Sequence, residues 1–533
     1  MQLALLSAER DGLRTQLTSS EAERERLEKA RDRLAARLKL QLSHRFGRHS
    51  ERGDQAGQDG EAHADGDAVG TSGVGPEKAK RRRGQQPGRP SPRRRSYEHL
   101  PTEEVPHDFE VEDRPSCPSC GEAYEPFGEE PHEEIHFEVR IVRRLHHRAR
   151  YRRRCHCVEA VGVVAHPGPP KPIKKGRLSI GFLARLVYYK FGLGFPLSRI
   201  VALLSAEGGQ FSPSSLIGAL DALGPLISPL AEAIRRHNAV DGHLHVDETS
   251  WKVFVLVENK TNHRWWLWVF VGSDSVAFHL KPSRGRDVVI EHLGLTRNED
   301  DRLCLPGGRE LLLSSDFYTT YQSLGAEVAG IDNAWCWAHI RRYFLRCGEG
   351  HIACKGFASA WVERIRALYS SYRRFVSAEV GSKEETEAIG ECRLVIAAMD
   401  KARKAEATDE GLHEAARKVL ATLDHEWSGL VTFFEHPGIP LDNNVAERHL
   451  RRPVVLRKGC YGSGSLASAR LAADAWSIFQ THELAGWNPL RVLESFLFAS
   501  ARAGRALHED ELGAFLPWQA GAQAPSSFRS VPP

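Results

Sequence analysis

The alternation of polar and apolar residues is clearest in the stretch that begins at His243. His243, His245 and Asp247 alternate with Leu244 and Val246, and an apolar run follows. Because successive side chains of a strand point to opposite faces, the two histidines and Asp247 share one face. The pattern predicts a half-buried strand that leads into a hairpin. Burying an unpaired carboxylate is costly, so Asp247 needs a partner there, and a divalent cation is the natural one.

Two further acids could share that cation. A short apolar run ends at Asp316, which is typical of a strand with an acid at its carboxyl end, where α/β folds place their chemistry. Glu447 lies on a predicted helix that Asp442 or Asn443 caps and Pro453 ends. Asp, Asp and Glu on a strand, a strand and a helix suit a phosphoryl-transfer site with two Mg²⁺ or Mn²⁺ ions.

Four motifs, in order along the chain, carry a resemblance to a known family. They are Asp247-Glu-Thr-Ser-Trp, Ser315-Asp-Phe-Tyr-Thr-Thr-Tyr, Cys336-Trp-Ala-His-Ile-Arg-Arg and Asp442-Asn-Asn-Val-Ala-Glu-Arg-His-Leu-Arg. Together they resemble the large transposase of the insertion sequence 66 family, a DDE transposase with an RNase H-like core. The resemblance implies that Asp247, Asp316 and Glu447 are the catalytic acids. It also implies a zinc-binding domain and two small accessory proteins encoded by the same element.

The N-terminal region of the chain is predicted to be a helix followed by a linker. The helix, at 1–46, repeats leucine in sevens and favours a short coiled coil that forms a homodimer, with packing on its own chain as the alternative. The linker, at 47–96, contains few large apolar residues and two dense basic runs that favour contact with a phosphate backbone. The leucines at the two heptad core positions are Leu3, Leu17 and Leu38, and Leu6, Leu13, Leu27 and Leu34.

Residues 97–165 are predicted to be a zinc-binding domain that also binds DNA. Two close cysteine pairs can form a closed tetrahedral Zn²⁺ site, and His156 is an alternative ligand. A β-like stretch at 134–145 lies between the pairs and begins a dense basic patch. This patch is a candidate for binding the DNA of the transposon end. The cysteines are Cys117, Cys120, Cys155 and Cys157, and the DNA-binding candidates are Arg140, Arg143, Arg144, Arg152 and Arg153.

The rest of the chain completes a multidomain α/β protein. Residues 173–237 form a helical domain, for which a DNA reader and a plain scaffold remain open alternatives. Three meandering strands and one helix fit between Asp247 and Asp316. The interval from Asp316 to Glu447 is long and has helical periodicity, which indicates a helical insertion in the catalytic domain. The insertion, at 350–435, divides the RNase H-like core into two segments. The first is at 238–349, and the second, with the C-terminal helices, is at 436–502. A tail follows at 503–533.

Basic side chains surround Glu447, and guanidinium groups suit the phosphates that must be held beside the metals. The DNA-binding candidates there are Arg448, Arg451, Arg457 and Lys458. Cys336 and His339 lie one helical turn apart, but two ligands do not complete a metal site, so their role stays open.

Composition narrows the class of protein without fixing its partner. The 533 residues are 41% hydrophobic and 27% charged, with a net charge of only +4. No apolar run approaches the roughly 20 residues of a membrane span, and the ten cysteines fit reduced thiols. These features fit a cytoplasmic protein, and the family resemblance implies that it is bacterial, is associated with the nucleoid and binds double-stranded DNA. The alternatives are a catalytically inactive DNA-binding relative and a zinc hydrolase that uses His243 and His245.

Overall fold

A computed structural model describes most of the chain from residue 139 onward. The chain divides into two compact units, Ser50–Val139 and a larger one that joins Met1–His49 to Arg140–Pro533. The predicted coiled coil and linker and most of the predicted zinc domain lie outside the described residues. The described residues are 139–152, 154, 161, 163–255, 264–520 and 528, with 24, 102–104, 118–120, 122–123 and 134–135.

Nine described strands form three sheets in the larger unit. They are β1 (Arg150–Arg152), β2 (Val163–Ala165), β3 (His243–Lys252), β4 (Arg264–Val271), β5 (Val276–Lys281), β6 (Thr296–Arg297), β7 (Leu303–Cys304), β8 (Leu311–Ser315) and β9 (Ile331–Trp335). Five of these strands make the central sheet, in the order β5-β4-β3-β8-β9. β3, β4 and β5 are an antiparallel meander, and β8 and β9 run parallel to β3.

Fourteen α-helices are described. They are α1 (Ile180–Val187), α2 (Leu197–Ala206), α3 (Pro213–Asn238), α4 (Asp287–Leu293), α5 (Thr319–Glu327), α6 (Trp337–Gly350), α7 (Lys355–Ser377), α8 (Lys383–Ala407), α9 (Glu414–His425), α10 (Trp427–Val431), α11 (Asn444–Cys460), α12 (Leu466–Leu484), α13 (Pro489–Ala503) and α14 (Pro517–Ala520). A π-helical turn, Tyr188–Gly192, extends α1.

The two faces of the sheet bury two separate cores. The alternation in β3 predicts only the core that contains Leu244 and Val246. Leu244 and Val246 pack with Phe270 into a core that includes α4, α5 and the helices α6 to α9. Val269 and Phe278 belong to the other core, with α1, α3, α12 and α13. The meander and α4 separate Asp247 from Asp316, and helices α6 to α10 fill the long interval before Glu447, both as the sequence predicts.

The free edge of β5 is covered by helix α12. Oγ of Ser477 accepts a hydrogen bond from the backbone N–H of Phe278 at 2.8 Å. Oγ1 of Thr481 accepts from the N–H of Val276 at 2.9 Å and donates to the carbonyl of the same residue. Hydroxyl groups of a helix therefore occupy backbone positions that a further strand would otherwise pair with.

Helix α3 is the one described helix that is long and apolar enough to cross a membrane by composition. It packs against α12 and β5. Near its end, Arg235 donates to Asp474 of α12 at 2.7 Å and to the carbonyl of Phe278 at 2.9 Å. The expectation that no apolar run approaches the length of a membrane span is therefore wrong by composition. The contacts of α3 are those of a helix packed in a protein core.

The prediction of a strand across residues 134–145 is wrong for the residues of it that are described. Residues 134–135 and 139–145 have no regular secondary structure, and Val139, Val142 and Leu145 are exposed. A strand needs a neighbouring strand, and none of the described strands includes or pairs with residues 139–145. The pairing begins only further along, where β1 pairs with β2.

Candidate active site

Asp247 and Asp316 lie at the same level on neighbouring parallel strands. The ladder between β3 and β8 ends with the pair His245 and Ser314. Extending its register by two residues puts Asp247 level with Asp316, and the charge of Asp316 raises the pKa of Asp247. Side chains at paired positions of a sheet point to the same face. Asp316 directly follows β8, at the carboxyl end of the strand. The two acids therefore face the same space at one end of the sheet.

Glu447 is carried to this face by α11, and Asn443 docks the first turn of that helix on β3. Nδ2 of Asn443 donates to the carbonyl of Val246 at 2.7 Å, and its Oδ1 lies 3.0 Å from Nδ1 of His245. The backbone N–H of Asn443 donates to Sγ of Cys336 at 3.2 Å. Asn443 is only 2% exposed. The junction is thus closed to solvent, and Glu447 stands one turn beyond it.

The pKa of Asp247 shows that like charges surround it. Burial raises the pKa of its carboxyl well above the ordinary value, and the charges of Glu248, Asp316 and Glu447 raise it further. A hydrogen bond from the backbone N–H of Glu248, at 2.8 Å, opposes the rise only incompletely. Within the described residues no lysine or arginine pairs with Asp247. The site therefore carries an excess of negative charge around one buried carboxyl.

The three carboxylates are the kind of ligand that hard divalent cations prefer. Mg²⁺ and Mn²⁺ take oxygen ligands in proteins, and a cation would offset the repulsion that raises the pKa of Asp247. Among the residues that the structure describes, however, no three His, Cys, Asp or Glu side chains stand close enough together to hold a metal ion. The acids share one end of the sheet without forming a closed coordination shell.

The two histidines of β3 are engaged in holding the site together. Nε2 of His243 lies 2.8 Å from Oγ of Ser314 on β8, and His245 contacts Asn443. Burial lowers the pKa of both rings, that of His245 to about 4, so both are neutral at pH 7. One nitrogen of each ring is thus already occupied. This arrangement gives the zinc-hydrolase alternative no support.

Cys336 belongs to the same junction. Its side chain is buried, and burial raises the pKa of its thiol to about 12. The sulfur accepts the hydrogen bond from Asn443, and the carbonyl of Cys336 accepts from the backbone N–H of His339 at 3.1 Å. A protonated, buried thiol supports packing better than metal binding, so Cys336 has a structural role in docking α11.

The basic side chains after Glu447 divide into two groups. Arg457 reaches back to β3, where Nη1 donates to Oγ1 of Thr249 at 2.9 Å and to the carbonyl of Ser250. Through Nη1 its guanidinium holds α11 against β3, and its predicted role in DNA binding stays a prediction. Of the predicted DNA-binding residues on α11, Arg448, Arg451 and Lys458 are exposed.

The prediction that Pro453 ends the helix is wrong, because α11 continues to Cys460. A proline cannot donate the backbone hydrogen bond that the carbonyl of His449, one turn earlier, would receive. Gln480 on α12 supplies it instead, since its Nε2 donates to that carbonyl at 3.1 Å. Oε1 of Gln480 also lies 2.5 Å from Nδ1 of His449. A donor from a second helix therefore replaces the missing one.

Most of the predicted zinc site lies outside the described residues. Cys117, Cys155, Cys157 and Arg153 are not described, and Cys120 is exposed. The described arginines of the basic patch are exposed. Among them, Arg140, Arg143 and Arg144 lie in the stretch without regular structure, and Arg152 ends β1.

Sequence reasoning missed an ion pair beside the acids. The side chain of Glu248 is only 2% exposed and pairs with Arg284 at 2.7 Å. The hydroxyl of Tyr321 donates to the other oxygen of Glu248. A buried glutamate directly after Asp247 was the available signal, because such a charge requires a partner. The position of that partner, in the loop after β5, could not be read from spacing.

Comparison with known proteins gives matches along most of the chain. The profile described as "Transposase IS66 family" matches residues 175–471. Three relatives from Sinorhizobium fredii (strain NBRC 101917 / NGR234) are each named only as an uncharacterized protein. The protein y4qI is 26% identical over 375 residues, y4hP is 23% identical over 396, and y4jD is 25% identical over 441.

These matches cover 67%, 71% and 79% of this chain and, in the same order, 65%, 69% and 80% of the relatives. The match to y4qI thus spans just under two thirds of that relative's own length. The mixed five-stranded sheet with helices on both faces fits the catalytic domain of a DDE transposase. The family profile covers more than half of the chain, including all three acids. The chain belongs to the IS66 family of transposases.

Proposed function

We propose that this chain is a DDE-type transposase that binds the ends of an insertion sequence and catalyses strand cleavage and strand transfer with Asp247, Asp316 and Glu447. The observation that carries the proposal is that Asp247 on β3 lies close enough to Asp316, directly after β8, and to Glu447, on the docked helix α11, for both charges to raise its pKa. Family membership supports DNA as the substrate.

The reaction that these residues would serve is phosphoryl transfer in two steps. In the first, the oxygen of water forms a bond to the scissile phosphorus, and the bond to the 3′-oxygen of the element breaks. The proton lost by the water balances the one taken up by the 3′-hydroxyl. In the second, the oxygen of that hydroxyl forms a bond to a phosphorus of the target DNA, and the bond from this phosphorus to the 3′-oxygen of the target breaks. The proton lost by the attacking hydroxyl balances the one that the leaving oxygen takes up. Neither step needs a covalent enzyme intermediate, so no Ser, Tyr or Cys is assigned as a nucleophile.

The three carboxylates would hold Mg²⁺ or Mn²⁺, which when bound would activate the attacking oxygen and stabilise the leaving one. Without a cation, the buried and crowded carboxyl of Asp247 holds a proton more readily than an ordinary aspartate. Exposed Arg448, Arg451 and Lys458 are proposed to hold phosphates on the α11 side of the acids. Structural Zn²⁺ at the four cysteines, a homodimer and two accessory proteins also belong to the proposal.

Cleavage of labelled DNA that carries the element's own ends tests this function. We expect cleavage by the wild-type chain with Mg²⁺ and none with EDTA. Asp247→Asn should abolish cleavage and leave DNA binding intact, because it removes one carboxylate oxygen ligand and little volume. Asp332→Asn is the matched control, since it makes the same change at an exposed position on β9.

The main rival is a relative that binds DNA without cutting it. It predicts that wild-type protein and Asp247→Asn behave alike, with binding and no cleavage under either metal condition. Cleavage that survives Asp247→Asn but is lost with His243→Ala and His245→Ala would instead favour the zinc hydrolase.

A further inference from the structure

Arg284 is held rigidly in the loop between β5 and α4. Nε and Nη2 both face Oε1 of Glu248, at 2.9 and 2.7 Å. The guanidinium also lies over two aromatic rings, 4.0 Å from the centre of Tyr318 and 4.5 Å from that of Trp266. An arginine fixed by a carboxylate and two rings loses little further freedom when it binds a ligand.

The opposite side of this guanidinium remains accessible. The Arg284 side chain is 39% exposed, in contrast to the buried Glu248. Among the described residues, none accepts a hydrogen bond from Nη1. Both oxygens of Glu248 are occupied, one by Arg284 and one by Tyr321. Both carboxylate oxygens of Glu248 therefore accept hydrogen bonds within the protein, whereas Nη1 of Arg284 can still donate to a bound ligand.

Arg284 is tied to the loop that follows the second catalytic acid. Tyr318 places its ring against the guanidinium, and its hydroxyl donates to the carbonyl of Arg284 at 3.3 Å. The backbone N–H of the same tyrosine donates to Oδ1 of Asp316 at 3.0 Å. By strand alternation, Glu248 points to the face opposite Asp247. Arg284 thus lies on the face of the sheet opposite Asp247 and α11, and it contacts the loop that begins at Asp316.

We propose that Arg284 binds a backbone phosphate of the DNA strand at the catalytic acids, from the side opposite α11. The inference rests on the function proposed above. A fixed guanidinium with free N–H groups matches phosphate oxygens in geometry and charge, and phosphate is the anion that a DNA substrate brings to this end of the sheet. The exposed cations of α11 and Arg284 would then hold the strand on both sides of the acids.

The salt dependence of DNA binding distinguishes a phosphate contact from a structural ion pair. Each phosphate contact steepens the plot of log affinity against log salt by about 0.9 for duplex DNA. The probe is a labelled duplex made from the element's own ends. We expect Arg284→Gln to weaken binding about tenfold at low salt and to make the slope shallower by about 0.9. Arg286, in the same loop as Arg284, has an exposed side chain that pairs with Glu327 of α5. Arg286→Gln should keep the wild-type slope.

A double variant separates binding from neutralisation of Glu248. Arg284→Gln combined with Glu248→Gln removes both charges of this ion pair, so no unpaired charge remains at residue 248. The double variant should therefore fold even if the single variant does not. If Arg284 only neutralises Glu248, the double variant recovers the wild-type slope, and the inference fails. An unchanged slope in Arg284→Gln, or an equal change in Arg286→Gln, also overturns it. These outcomes leave cleavage by the wild-type chain intact, whereas a wild-type chain that neither binds nor cuts the ends overturns the proposed function itself.

Discussion

Replacing Gln480 with leucine should destabilise the protein by an amount that depends on Pro453. Gln480 is 4% exposed and makes two hydrogen bonds to His449, one to the carbonyl that Pro453 leaves open and one to the ring. Leucine has a similar volume but no polar atom. Each buried polar group left without a partner costs about 1–3 kcal/mol. The His449 ring is partly exposed and can turn to water, so we expect a loss of about 2–3 kcal/mol for Gln480→Leu.

The same reasoning predicts coupling between Gln480 and Pro453. In the double variant Gln480→Leu with Pro453→Ala, the backbone N–H of residue 453 is restored and can donate to the His449 carbonyl within α11. Some of the loss should therefore be recovered, with a coupling free energy of about 1 kcal/mol or more. Thermal and urea unfolding of the four proteins in the cycle measure this quantity. Additive effects, within about 0.5 kcal/mol, would show that Gln480 does not compensate for the proline.

Three further predictions concern acid stability, phosphate contacts and zinc. His292 is buried and its pKa is lowered from 6.5 to about 3, mainly by burial. Between pH 7.5 and 5 the His292 ring stays neutral in the folded protein, whereas the same ring gains a proton in the unfolded chain. The free energy of unfolding should therefore fall by about 2 kcal/mol over this range. Urea unfolding of His292→Gln should show a flatter dependence on pH. Arg451→Ala and Lys458→Ala should each slow strand transfer on pre-cut ends by about 10²–10³, and unchanged single-turnover rates would assign both residues to structure. Metal analysis should find one zinc per chain that is lost with Cys117→Ser and Cys120→Ser; a zinc-free wild-type protein contradicts that site.

The acids of β3 and β8 could be predicted because local patterns determine them. Alternation assigned Asp247 to one face, and the end of an apolar run placed Asp316 at the carboxyl end of a strand. Their common level depends on the register between two strands, which the sequence does not reveal. The resemblance to a family, and not spacing alone, selected Glu447 from the many glutamates on predicted helices.

The features that sequence reasoning missed all depend on partners far away in the chain. Pro453 cannot donate a backbone hydrogen bond within the helix, and the amide of Gln480, on another helix, supplies a donor to the open carbonyl. No sequence pattern indicates that Arg457 contacts Thr249 and Ser250, which lie about two hundred residues earlier in the chain. The strand predicted for residues 134–145 had the right residue types but, in its described residues, no strand to pair with.

The covering of β5 by α12 has a consequence for the order in which the chain is made. The strand leaves the ribosome about two hundred residues before Ser477 and Thr481, which occupy its backbone groups. A nascent or truncated chain that stops after Glu447 would contain all three acids but would present β5 with an open edge, and open edges recruit other strands. Incomplete chains that lack α12 should therefore aggregate through the open edge of β5, so that the central sheet becomes safe from edge pairing only when α12 has been made.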